Sequence, residues 1–206
     1  ILIISMLILT LGVFKIKKIE NKFLFVFTFL SLLYMFIIPY NYNPDESAHF
    51  MRASEIATGQ FISTANEDGE IGRYDSTSFG DDMQFNGYED YYSKFMVPKA
   101  ETEKFYNYAT AAIYPFFVYT PQAIGIAVAN AFDTSVLMMV YFAKIFNLAL
   151  FVFLCYMGLK YMPKYKKFCL CVLLFPMTLQ LGASVAADAL TIGLSFFFVA
   201  LIMKIR

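Results

Sequence analysis

The run Asn43-Pro44-Asp45-Glu46-Ser47-Ala48-His49-Phe50-Met51-Arg52 brings together two adjacent carboxylates, the chain's single histidine and an arginine. Carboxylates can deprotonate an attacking hydroxyl, or hold a hard divalent cation such as Mg or Mn through oxygen ligands. An arginine beside them can neutralise a phosphate. Asn43 fits an N-cap, Pro44 fits the first helical position and Glu46 completes a capping-box pattern, which predicts a helix from Pro44 to about Thr58, stopped by Gly59. On that helix Asp45, His49 and Arg52 share a face, with Glu46 one step round. Asp45 and Glu46 are then the candidate catalytic residues, and a candidate metal pair. His49 and Arg52 are candidates for binding substrate phosphate. The same acidic residues would also stabilise the dipole of a first helical turn without any chemistry. The pattern Asp-Glu-x-x-His lacks the first histidine of the zinc-protease motif, so it does not support a protease.

The elements that must position these groups are membrane helices. The chain is 59% hydrophobic, 19% aromatic and only 16% charged, a balance foreign to soluble domains. Apolar runs occupy 1–14, 23–40, 136–159 and 168–203, and a span needs about 20 helical residues. The last run is too long for one span and is expected to fold as two, breaking at Gly182-Ala183-Ser184. Basic clusters at Lys15–Lys22 and Lys160–Lys167, with Lys204 and Arg206, are expected on the cytoplasmic side. The segment 41–105 holds 13 Asp and Glu against 5 Lys and Arg, a net charge of −8, and is expected outside. For all of these to hold, the mixed stretch 106–132 must lie along the membrane surface. A helix opening at Tyr119-Thr120-Pro121 and ending near Phe132 suits that placement.

The expected fold is therefore an all-α polytopic membrane protein. Residues 1–40 form two spans joined by a basic cytoplasmic turn. Residues 41–135 form an external loop with juxtamembrane amphipathic helices, and 136–206 form three spans. The chain starts and ends at apolar runs, so it is expected to be part of a longer protein. A signal peptide is not expected, because no charged region precedes residues 1–14 and no small-residue cleavage site follows them. Lys144 and Asn147 lie inside a span, where ionisable groups default to function. Contact with a lipid phosphate, or a pair with Asp188, is the expectation for Lys144. Ser184 and Asp188 either line the same cavity or cap the last helix. Cys155, Cys169 and Cys171 sit in apolar runs and read as packing residues.

Two resemblances sharpen this. An acidic pair directly after an outward-running span, followed by surface helices, resembles the GT-C superfamily of membrane glycosyltransferases. More closely, Pro44-Asp45-Glu46-x-x-His49-Phe50-x-Arg52 resembles a family of predicted bacterial membrane proteins, domain of unknown function 2142. Tyr114-Pro115 with Tyr119-x-Pro121-Gln122 is similar to its second block, and Phe175-Pro176-Met177 with Ser184-x-x-x-Asp188 to its third. The similarity runs from about 35 to 200. It implies a GT-C-like N-terminal bundle with a long first external loop. Asp45 or Glu46 would be base or metal ligand, and Tyr119, Gln122, Lys144, Ser184 and Asp188 would be candidates around substrate. Related transferases often carry an arginine where Lys144 stands; lysine keeps the charge but not the two-pronged geometry.

The expected function is transfer of a sugar from a polyprenyl-phosphate donor to a glycan or other envelope acceptor, at the outer face of the cytoplasmic membrane. A transporter or flippase component for lipid-linked glycans, or a non-catalytic envelope-assembly protein, is the alternative. The expected partners are membrane lipid, the lipid-linked sugar and its acceptor, and not nucleic acid.

Overall fold

A computed structural model describes residues 15–75, 87–97 and 104–205. The expected first span over 1–14, Arg206 and part of the acidic segment lie outside the described residues. Among these the chain is mostly helical. Three helices are long and apolar enough to cross a membrane: α1 (Ile19–Ile37), Val136–Tyr161 and Asp188–Ile205. Between the first two come α2 (Glu46–Ala57), strand β1 (Gly72–Asp75), α3 (Tyr88–Ser93), strand β2 (Lys104–Asn107), α4 (Ala109–Ala112) and α5 (Thr120–Ala131). The long helix Val136–Tyr161 is α6. Two short helices, α7 (Lys166–Leu173) and α8 (Pro176–Gly182), precede α9 (Asp188–Ile205).

Contacts divide the chain into two units. One holds the described residues to Ile37, with Leu148–Ala183 and those from Asp188 onward; the other holds Ile38–Asn147 and Ser184–Ala187. In the first unit, α1 buries Phe23, Phe27, Ser31 and Met35. Their four-residue spacing makes one stripe along the helix. Phe23 and Phe27 have centroids 5.0 Å apart, and Phe27 lies 5.2 Å from Phe151 of α6. The opposite face exposes Leu24, Leu32 and Phe36, so α1 is apolar all round, as a lipid-facing helix is. The run 168–203, expected to fold as two spans, is divided twice, and of α7, α8 and α9 only α9 is long enough to cross a membrane. Pro176 has no backbone N–H to continue a helix, and it opens α8 instead. The second break follows Gly182, where the sequence placed it.

In the second unit α2 packs on α4 and α5. The strands pair antiparallel with Gly72 opposite Asn107 and Asp75 opposite Lys104, a small two-stranded sheet that an all-α reading does not contain. Helix α5 starts at Thr120 with Pro121 in its first turn and is capped at Phe132. At 12 residues it is about 18 Å long, well short of a span. Its Gly125 sits against α6: a Cβ there would meet the Phe142 carbonyl oxygen at 2.5 Å. Gly125→Ala is therefore expected to destabilise by about 1–3 kcal/mol through overpacking, read as a lowered melting temperature. Helix α2 begins two residues later than expected, at Glu46, because Asp45 adopts the left-handed conformation with φ 55°. Asn43 does not cap it. Gly59, at φ 89°, follows its end as expected.

Candidate functional site

The turn after α1 is pinned at several points. The Tyr40 backbone N–H donates to the Tyr91 hydroxyl at 3.0 Å. Burial pushes the Tyr91 hydroxyl up to about 12, so it stays protonated. It also lies 3.0 Å from the Tyr141 hydroxyl. Glu46 reaches back from the start of α2 and accepts the Asn41 backbone N–H at 3.0 Å and the Asn43 amide at 3.1 Å, both on Oε2. The predicted capping box would have Glu46 accept the Asn43 backbone N–H; it accepts instead the backbone N–H of Asn41, two residues further back.

The other oxygen of Glu46 meets Lys144. Nζ lies 3.1 Å from Oε1, and both side chains are 1% exposed. The same Oε1 accepts the Val185 backbone N–H at 3.3 Å. Lys144 stands about two turns into α6, where a lone ammonium would be costly. Its charge is matched by Glu46 and not by Asp188, the partner considered from sequence. Asp188 is half-buried in the first turn of α9.

Val185 belongs to the irregular run 184–187, and the remaining polar residues serve its backbone. Gln122 donates Nε2 to the carbonyls of Val185 at 3.3 Å and Ala186 at 3.2 Å, and to Asn147 Oδ1 at 3.1 Å. Asn147 donates Nδ2 to the Ser184 carbonyl at 2.9 Å. The Ser184 hydroxyl accepts the Ala186 N–H at 3.2 Å. Non-helical backbone in an apolar protein must find such partners. Gln122, Asn147 and Ser184 thus hold a break in the helical backbone.

His49 and Tyr119, placed in different blocks of the sequence, come together: Nδ1 lies 2.7 Å from the Tyr119 hydroxyl. That hydroxyl also lies within donating distance of the Ala111 carbonyl, at 3.2 Å. Tyr119→Phe leaves both the imidazole and the carbonyl without this partner. A loss of about 1–3 kcal/mol in a denaturation measurement is expected.

Arg52 is committed elsewhere. It is 3% exposed. Its Nη1 is paired with Glu55, and Nη2 donates to the Phe61 carbonyl at 2.6 Å. The Ser63 hydroxyl donates to Glu55 Oε2 at 2.7 Å. Burial, then the Glu55 charge, pushes the neighbouring Tyr108 hydroxyl upward. Glu55 was missed from sequence, although its position three residues after Arg52 was the available signal. Arg52 also lines a cavity of about 350 Å³ with Phe61, Ser63, Tyr114 and Phe116.

Asp45 is different from all of these. It is exposed. Its backbone carbonyl starts α2 by accepting the His49 N–H at 3.0 Å. Its carboxylate has no hydrogen-bond or ion-pair partner among the described residues. Asp45, His49 and Arg52 were expected to converge on one face. The left-handed residue turns Asp45 out of the helix, while His49 and Arg52 are buried with partners of their own. A metal pair of Asp45 and Glu46 does not fit this arrangement, because both Glu46 oxygens are taken and a cation would face the Lys144 ammonium. Among the described residues no three His, Cys, Asp or Glu side chains gather in a metal-binding group.

The fold and the site define a mostly helical membrane protein with a pinned acidic turn after its first described span. The model of the predicted membrane protein family DUF2142 matches residues 25–206, and the chain belongs to that family. No curated protein and no solved structure matches it.

Proposed function

We propose that this protein is a GT-C-like glycosyltransferase, using a polyprenyl-phosphate sugar on the extracytoplasmic side of the membrane. The observation that carries the reading is the Asp45 carboxylate, exposed and unpartnered on a turn held by its buried neighbour Glu46. The acidic excess of 41–105 and the lysines at 160–167 support the sidedness.

In the proposed step the acceptor hydroxyl gives its proton to Asp45. The acceptor oxygen bonds to the anomeric carbon of the donor sugar. The bond from that carbon to the phosphate oxygen breaks, and polyprenyl phosphate leaves with the electron pair. Glu46 and Lys144 hold the turn and take no part in the bond changes. The rim of the Arg52 cavity, with Phe61 and Phe116 at 5.2 Å between centroids, offers aromatic faces to a sugar.

Movement of an intact lipid-linked glycan is the second reading, favoured by the dry Glu46–Lys144 pair beside the broken backbone at 184–187. Reconstitution in vesicles with a radiolabelled polyprenyl-phosphate sugar and envelope glycans separates the two. The proposal expects label on the acceptor and free polyprenyl phosphate. Label that changes leaflet but stays on its lipid would overturn it in favour of transport.

A further inference from the structure

Two segments far apart in the sequence build an apolar tip on the second unit: the loop after α2 and the stretch between α4 and α5. Ile62 of the loop is 80% exposed and Ile113 of the stretch 79%. Phe61, Phe116 and Phe117 are exposed as well. These side chains are neighbours. Phe61, Ile62, Ile113 and Phe116 line one cavity, and the Phe116 and Phe117 rings lie 6.3 Å apart. A single exposed apolar side chain is ordinary, whereas a contiguous group marks a contact surface.

Charge is kept away from this tip. Residues 56–66 and 105–132 contain no Asp, Glu, Lys, Arg or His. Arg52, the charged residue that lines the cavity, is buried and paired with Glu55. The exposed acids Glu67, Asp68 and Glu70 are set off in a separate turn, beyond the Ala65–Ile71 bridge. The unit is also tied to the membrane. It begins where α1 ends and contains the start of α6, both long and apolar enough to cross it. An uncharged tip of Ile and Phe on such a unit fits one surface, the lipid that those helices cross.

We propose that Phe61, Ile62 and the run Ile113–Phe117 dip into the lipid surface beside the start of α6. Elements of this kind sit roughly 5–10 Å deep, at the boundary of headgroups and acyl chains. Helix α5 packs on α2 and has Gly125 against α6; the lipid contact falls on the stretch before it and on a distant loop. The mouth of the Arg52 cavity then opens at the lipid surface. Nothing in this contact requires glycosyl transfer.

The chain has no tryptophan, so single Trp replacements report without background. Ile62→Trp and Ile113→Trp probe the tip. Tyr74→Trp on β1, at a site 63% exposed, is the aqueous reference, and Phe198→Trp on α9, at a site 64% exposed, is the lipid reference. All four sites are exposed, so folding is spared. Each variant is reconstituted in phosphatidylcholine vesicles. Its fluorescence is quenched by lipid brominated along the acyl chain or, separately, by iodide on both sides. Both tip variants are expected to be quenched by the brominated lipid, as Phe198→Trp is. Their quenching by iodide should be several-fold weaker than that of Tyr74→Trp. Iodide quenching of either tip variant equal to that of Tyr74→Trp would overturn the proposal, because the tip then faces water. Shielding of either from both quenchers would also overturn it, because protein then covers the tip.

Discussion

Replacing Lys144 with methionine should destabilise the protein by about 3–5 kcal/mol, because it strands a buried carboxylate. Glu46 is 1% exposed, and Lys144 is the cation paired with it. Methionine fills much of the space of the lysine stem, so the loss reflects charge more than volume. The second half of the experiment is Glu46→Gln on that background. It removes the stranded charge while an amide oxygen still accepts from Asn41, Asn43 or Val185. The double variant should therefore melt above the Lys144→Met single variant. Thermal melts in one detergent give all corners of the cycle. A single variant that melts like the wild type would show that the pair does not hold this turn.

The second large effect is on activity. Asp45→Asn should lower the transfer rate by about 100-fold or more, the contribution of a positioned general base. Asparagine is the informative replacement for a structural reason. Asp45 sits at φ 55°, a conformation that aspartate and asparagine tolerate and alanine does not. The amide side chain keeps the turn and loses only the base, so the melting temperature of this variant should stay at the wild-type value. Asp45→Ala would mix the two effects, adding about 1–2 kcal/mol of backbone strain.

Local rules made part of this readable in advance. Pro121 after Thr120, with Phe132 at the other end, marked α5 to within a residue, because proline in a first turn and a polar start act over one helical turn. Gly59 and the Gly182-Ala183 break were read in the same way. The face of α2 was not legible. Helical periodicity put Asp45 beside His49 and Arg52, but one left-handed residue, a choice of backbone basin invisible to side-chain periodicity, turned it outward. Long-range partners were also beyond reach. The depth of Lys144 in an apolar run announced that it needed a counter-charge. That the counter-charge was Glu46, far away in sequence, follows from the packing of α2 against its neighbours. Glu55 was hidden for another reason: it looked like one more acid in an acidic segment, and only the burial of Arg52 gives it a task. Gln122 and Ser184 came from sequence as substrate contacts, and the hydrogen bonds they make are to the backbone of 184–187.

The division of labour in the first turn, with Asp45 for chemistry and Glu46 for structure, is the central claim. It is tested most directly by the steady-state transfer rate of Asp45→Asn in reconstituted vesicles, with the melting temperature taken on the same preparation. The expected result is a rate lowered by about 100-fold or more at an unchanged melting temperature. Transfer at the wild-type rate by that folded variant would contradict it.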